Sequence, residues 1–142
     1  MWMKILIGAV LLSAATGIGS LDAREGEPPP SIVDSQELIA EEIAGEPDKE
    51  AVTHVYGFPA GAVLPWHIHP DAHEVVYVLD GDFTMEVAGE SQKTYRAGES
   101  FYLAPNLVHR GMNKGSVPAK IFVVRIKPKA KPLTQEVEPP PD

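Results

Sequence analysis

The sequence contains no cysteine among its 142 residues. This absence excludes disulfides, thiolate zinc sites, iron–sulfur clusters and a cysteine nucleophile. Aromatic residues are also few, at 7%, and the 12 Lys and Arg residues are outnumbered by 20 Asp and Glu residues. The formal net charge of -8 argues against nucleic acid as a partner, because binding to phosphates needs a basic surface. The one basic cluster is interpreted as part of a solvated tail: Arg125, Lys127, Lys129 and Lys131.

Only one long apolar run is present, and it lies at the N-terminus. Residues 1–4 form a short, positively charged start, residues 5–15 are apolar, and residues 16–23 are rich in small side chains. This order is typical of a signal peptide, so we predict one over residues 1–23 and an exported protein, periplasmic or extracellular. A short membrane anchor is the alternative, but the uncharged stretch is marginal for a membrane span. We therefore expect no stable membrane insertion after cleavage.

Proline marks both ends of the expected domain. Residues 28–30 and 139–141 are Pro-Pro-Pro runs, and Pro128 and Pro132 precede the second run. Such runs favour polyproline II structure over helix and sheet. A chain of this length buries one core, so we predict one domain over residues 35–127. A flexible Pro-rich segment at residues 24–34 precedes it, and a disordered Pro-rich tail at residues 128–142 follows it.

Short segments rich in Val, Tyr, Phe and Ile follow one another through the middle of the chain. Gly, Pro, Asn or Asp separates nearly all of them, as expected for strands joined by tight turns, of which Asp80-Gly81-Asp82 is one. Residues 35–43 are ambiguous, since Asp34 and Glu37 resemble a helix capping box although the apolar spacing favours an edge strand. The further predicted strands cover residues 52–58, 62–69, 75–79, 83–87, 93–95, 100–103, 108–112 and 120–126. This pattern predicts an all-β sandwich or barrel.

Three histidines and one glutamate are the candidate metal ligands: His67, His69, Glu74 and His109. Side chains alternate along a strand, so His67 and His69 point to the same side, and Glu74 begins the next strand. His109 begins a later strand, from which it can approach across a barrel. Imidazole and carboxylate groups bind Fe, Mn, Ni, Cu or Zn, and four of them leave an octahedral ion with positions open to a substrate. We predict one divalent metal ion, with His73 as the alternative ligand to Glu74.

The spacing of these residues resembles the first sequence motif of the cupin family. Five, one, four and six residues separate the specified positions of that motif, which are Gly61, His67, His69, Glu74 and Gly81. The second motif is met at Gly98, His109 and Asn113. It departs at Ala104 and Asn106, where the family has Pro and Gly.

The resemblance implies a small single-domain cupin, which is a jelly-roll barrel or double-stranded β-helix. It also implies that the three histidines and Glu74 hold the metal. Trp66, Ile68 and Tyr77 are expected to face outward, and small cupins commonly bury such an apolar patch in a homodimer.

Two functions remain open for a site of this kind. The first is a metal-dependent oxygenase, lyase or isomerase that acts on a small, partly apolar substrate. The second is an exported module that binds a metal or a small ligand without turnover. A purely structural cupin is disfavoured, because an unused site would tend to lose its ligand spacing. His54 alternates with Tyr56 and Phe58 and is a candidate proton carrier, with a structural role as the alternative.

Export predicts a mature protein that begins between about residues 17 and 24, because cleavage follows the small-residue stretch. N-terminal sequencing or intact mass measurement of the protein from its native cells would locate this end. An intact Met1 on a protein recovered from the cytosol would refute export, and an intact Met1 in the membrane fraction would favour an anchor.

Overall fold

The computed structural model describes residues 33–141, and this part of the chain consists of β-strands and their connections. It includes no helix long and apolar enough to cross a membrane. The predicted signal peptide and residues 24–32 of the Pro-rich segment lie outside the described residues. In chain order the strands are β1 (Asp34–Ile43), β2 (Glu46–Phe58), β3 (His67–Ile68), β4 (His73–Asp80), β5 (Asp82–Val87), β6 (Lys93–Arg96), β7 (Ser100–Leu103), β8 (His109–Met112), β9 (Ala119–Pro128) and β10 (Gln135–Glu136).

The strands form two five-stranded antiparallel sheets. One has the order β1-β2-β9-β4-β7 and the other has the order β10-β3-β8-β5-β6. The core lies between them and includes Phe58, Val76, Val78, Phe83 and Val123, each at most 1% exposed. This is the double-stranded β-helix that the sequence predicted, and it confirms the all-β fold class.

Alternation along each strand decides which side chains enter the barrel. On β4, Glu74, Val76 and Val78 are buried, whereas Val75 and Tyr77 between them are exposed. This is the period of two that a strand imposes when one face of its sheet packs on a core. A polar residue at one of these alternate buried positions, such as Glu74, therefore points into the interior.

The same alternation on β9 corrects the interpretation of the basic cluster as a solvated tail. Arg125 and Lys127 are in phase with the buried Ile121 and Val123, and they are only 5% and 4% exposed. Lys127 donates a hydrogen bond to Glu50 at 2.8 Å. Only Lys129, which contacts Glu42, and Lys131 are exposed. The alternation of buried and less buried positions thus continues through these residues to Pro128, where β9 ends.

The predicted edge strand at residues 35–43 is confirmed as β1, which pairs with β2 along its length. The predicted hairpin is confirmed as well: Gly81 joins β4 to β5 with φ 69°. A Cβ at Gly81 would lie 2.6 Å from the Pro118 carbonyl oxygen, so this turn requires glycine for both backbone conformation and space. The predicted strand over residues 62–69 is much shorter than expected. Only His67–Ile68 forms a strand, and Val63 makes a single bridge to Met112.

The C-terminal segment differs from the disordered tail that was predicted for residues 128–142. Gln135 and Glu136 form β10 and pair with Ile68 and His67 of β3. The Val137 N–H then donates to the Trp66 carbonyl at 2.9 Å. Residues 133–137 are Leu-Thr-Gln-Glu-Val, which carry no proline, so their backbone N–H groups are available for sheet pairing. Proline therefore disfavours sheet pairing at the flanking positions but not over residues 133–137.

Candidate metal centre

Three histidines converge on one point inside the barrel. His67 lies on β3 and pairs directly with His109 on β8, while His69 follows β3 immediately. All three are buried, and one ring nitrogen from each lies within 4.8 Å of the others. The His67 and His109 ring centroids are 4.4 Å apart. Strand pairing thus brings together residues that are 42 positions apart in the sequence.

Each histidine is oriented by a backbone carbonyl that contacts its Nδ1 atom. His67 contacts the Pro65 oxygen at 2.8 Å, and His109 contacts the Leu107 oxygen at 2.8 Å. His69 contacts the Leu133 oxygen at 2.6 Å. A carbonyl oxygen can only accept, so Nδ1 carries the proton in each ring. In a neutral imidazole the Nε2 lone pair is then free to bind a metal ion.

The contact between His69 and Glu74 brings a possible ligand nitrogen close to a carboxylate oxygen. The Nε2 atom of His69 lies 2.9 Å from Oε2 of Glu74, and this nitrogen is buried without a hydrogen-bond partner. With Nδ1–H already donated to Leu133, Nε2 presents a lone pair to a carboxylate oxygen. The same Oε2 atom accepts a hydrogen bond from Arg125, and a proton or a metal ion can join it to the His69 nitrogen. The three histidines fit a divalent ion, whereas Glu74 contacts His69 but lies outside the group of ligand atoms that are within 4.8 Å of one another.

Glu74 is also held by Arg125, a residue that the sequence analysis missed. The Arg125 Nε–H donates to Glu74 at 2.5 Å, and its Nη1–H donates to the Tyr56 hydroxyl at 2.9 Å. Burial would raise the pKa of Glu74, but the Arg125 charge and the His69 contact outweigh it and lower the pKa to about 2. Glu74 is consequently a carboxylate at any physiological pH. The alternation of β9 was the signal that could have revealed Arg125.

Burial keeps two of the histidines neutral. It lowers the pKa of His67 to about 4, with the nearby imidazoles adding to the effect. Burial likewise lowers the pKa of His109. Both rings therefore present unprotonated Nε2 atoms near neutral pH, which is the form that binds a metal.

The histidines open onto a cavity of about 200 Å³. Most of its wall is apolar and includes Phe58, Leu64, Val76, Phe83 and Met85. Besides the histidines and Glu74, the polar wall is limited to Tyr56, Arg125, Thr134 and Glu136. The cavity can therefore enclose a small molecule whose body is apolar and whose polar end contacts the histidines.

The remaining two histidines lie away from this point. His73 is exposed on the opposite face of β4, where its Nδ1 lies 2.7 Å from the Tyr102 hydroxyl, so it cannot replace Glu74. His54 is buried but is not part of the cavity wall described above. It stacks on Tyr56 with a centroid distance of 5.4 Å, and its Nδ1 has no hydrogen-bond partner. Burial and the Arg125 charge lower the pKa of His54. Its predicted role as a proton carrier stays a prediction.

The sequence model of the family described as Cupin domain matches residues 54–125, which is just over half of the chain. The chain belongs to the cupin family. The matched segment of this cupin contains the three converging histidines, Glu74 and Arg125.

Proteins of similar sequence include germin-like proteins of plants. A germin-like protein of Arabidopsis thaliana, subfamily 2 member 2, is 37% identical over 69 residues, which cover 46% of this cupin and 32% of that protein. The cupin thus spans about a third of the length of the germin-like relatives it matches.

Solved structures share the fold. The DMSP lyase DddQ from Ruegeria pomeroyi superposes with a TM-score of 0.61 at 21% identity, covering 78% of this cupin and 54% of that chain. An oxalate oxidase in complex with the substrate analogue glycolate gives a TM-score of 0.56 at 24% identity, covering 72% of this cupin and 55% of that chain. At these identities the likeness establishes the fold alone.

The lowered histidine pKa values predict that the metal-free protein loses stability in acid. The unfolded state binds a proton at His67 near the ordinary pKa of 6.5, whereas the folded state does so only near 4. The free energy of unfolding should therefore fall as the pH is lowered from about 6.5 to about 4, with His109 adding to the fall. Glu74 should add a further loss below its ordinary pKa of 4.5, because its folded pKa is about 2.

Urea unfolding of metal-free protein at a series of pH values would measure this dependence. The His67→Gln variant should show a shallower dependence between pH 6.5 and 4. A free energy of unfolding that stays constant over that range in the unsubstituted protein would contradict the assignment.

Proposed function

We propose that this cupin binds one divalent metal ion through His67, His69, His109 and Glu74 and acts as a metal-dependent enzyme. The observation that carries the proposal is the set of three Nδ1–H groups bound to backbone carbonyls, which directs three Nε2 lone pairs to one buried point. The His69–Glu74 contact supports Glu74 as the fourth ligand. Nitrogen and carboxylate oxygen donors suit Fe, Mn, Ni, Cu or Zn.

The substrate that suits this cavity is small and partly apolar, with one oxygen-containing end. When bound, the ion would supply Lewis-acid chemistry at that oxygen. The apolar walls would exclude water and hold the rest of the molecule. The Tyr56 hydroxyl accepts from Arg125, so its own proton is free to be donated into the cavity.

The net charge of the metal-bound site favours a substrate with an anionic or strongly polarised oxygen. Glu74 and Arg125 form a neutral buried pair, so a divalent ion would leave the site with two uncompensated positive charges. A ligand with an anionic oxygen would offset part of that charge. Among proteins with this fold, one is named a DMSP lyase and another an oxalate oxidase, which supports a lyase or an oxygen-using reaction here.

Metal analysis tests the metal site directly. The purified protein should hold about one divalent ion per chain, and His69→Ala should abolish tight binding because one converging nitrogen is lost. The matched control is His73→Ala, which removes an exposed histidine from the other face of β4 and should leave the stoichiometry unchanged. Equal metal content in the two variants would contradict the assignment.

Turnover separates an enzyme from a binding module. The metal-loaded protein should consume oxygen or convert substrate within a panel of small aromatic, keto and carboxylate compounds. Activity should disappear in His69→Ala and persist in His73→Ala. Saturable binding of a panel compound without any product would instead establish the non-catalytic module.

We further propose that the protein is exported and forms a homodimer through the outer face of the β1-β2-β9-β4-β7 sheet. Val75, Tyr77, Leu79 and Tyr102 are exposed on β4 and β7, where they form one apolar surface. Trp66 lies elsewhere, on the other sheet, where the Arg110 guanidinium stacks over its ring at 4.6 Å.

Sedimentation at micromolar concentration tests the dimer. The unsubstituted protein should sediment as a dimer, and Tyr77→Lys should shift it toward the monomer by placing charge in the apolar surface. Val117→Lys is the control, since Val117 is also exposed, at 61% against 43% for Tyr77, but lies in the loop before β9. A monomeric unsubstituted protein would refute this proposal.

A further inference from the structure

The segment after β9 returns to the metal centre. We call residues 131–137 the C-terminal strap. Its Leu133 carbonyl accepts from His69, its residues 135–136 form β10, and its Val137 N–H bonds to Trp66. Thr134 and Glu136 of the strap are part of the cavity wall. The strap therefore touches both a histidine of the site and the space in front of it.

The three histidines differ in where their orienting carbonyl comes from. His67 and His109 each use the carbonyl two residues earlier in the chain, so their orientation is set locally. His69 uses a carbonyl 64 residues away, and the strap supplies it. One of the three converging rings is therefore positioned by a separate segment of the chain.

The position of the proton on His69 determines whether its Nε2 atom is free to bind a metal ion. A neutral imidazole has one proton, which can lie on either nitrogen. The Leu133 carbonyl holds it on Nδ1 and leaves the Nε2 lone pair free. Without that acceptor the proton can move to Nε2 and be donated to Glu74, whose oxygen lies 2.9 Å away. That hydrogen bond would occupy both the nitrogen and the carboxylate that a metal ion needs.

The strap is attached weakly enough to respond to the metal. β10 has two residues, and Thr134, Gln135 and Glu136 are all exposed. Only Leu133 and Val137 of the strap are half-buried apolar residues. Segments with so few buried contacts open at low free-energy cost relative to global unfolding.

We propose that the C-terminal strap is a positioning element of the metal site and that its docking and metal binding are thermodynamically coupled. The proposal rests on the metal site proposed above. A docked strap favours the form of His69 that binds the ion, and reciprocity requires that the bound ion favour the docked strap. Because the strap is part of the cavity wall, undocking would also widen the cavity.

Truncation of the chain tests whether the docked strap strengthens metal binding. A variant ending at Pro132 lacks the Leu133 carbonyl and β10, and its Zn(II) affinity should fall about 10- to 100-fold, the usual effect of losing a group that orients a ligand. The matched control ends at Val137 and removes only residues 138–142, so its affinity should equal that of the full chain. Equal affinities in all three proteins would overturn the proposal.

Hydrogen exchange in the full chain tests whether the bound metal stabilises the docked strap, and it needs no truncation. The Val137 amide should exchange more slowly when Zn(II) is bound, whereas the Val123 amide in central β9 serves as the reference for global protection. Exchange at Val137 that is unchanged by bound Zn(II) would contradict coupling even if the truncated chain fails to fold. A full chain that binds no Zn(II) would overturn both this inference and the proposed metal site.

Discussion

The position of one proton on each of three buried imidazoles is the constraint on which the site depends. Backbone carbonyls accept from all three Nδ1 atoms, so the opposite nitrogens are directed inward as lone pairs. Three lone pairs that face one buried point repel one another, and a cation at that point would relieve the repulsion. The fold thus holds the three donors in an arrangement that fits a divalent ion.

The Glu74–Arg125 pair keeps the Glu74 carboxylate ionised inside the barrel. A buried carboxylate without a partner would be protonated, since burial raises its pKa. Arg125 enters from β9 and keeps the charge on Glu74, and Tyr56 satisfies a second donor of the guanidinium. The cost of burying these charges is offset by the surrounding sheet, whose apolar core residues lie on the same inner faces.

Local periodicity was sufficient to predict an all-β sandwich or barrel, and the resemblance to the cupin motifs added the double-stranded β-helix and the set of candidate ligands. Alternating strands, the Gly81 turn and the spacing of His67, His69 and Glu74 are encoded within short windows. Arg125 was missed because a run of basic residues was interpreted by composition, although its phase with Val123 indicated the interior.

The C-terminal strap could not be predicted because its structure depends on distant partners. Two prolines and a charged run predict a tail, and nothing local indicates that Gln135 and Glu136 pair with β3 or that Leu133 reaches His69. Contacts over 64 residues are set by closure of the whole barrel. A two-residue strand is not stable by itself and depends on the sheet edge with which it pairs.

We propose that the three Nε2 atoms and Glu74 hold one divalent ion. A crystal structure of the metal-loaded protein, with anomalous scattering measured at the absorption edge of the bound metal, tests it most directly. We expect one anomalous peak per chain at about 2.0–2.2 Å from the Nε2 atoms of His67, His69 and His109 and from a Glu74 oxygen. A peak bound through Nδ1 of any of these rings, or a peak at the exposed His73 with none in the barrel, would contradict it.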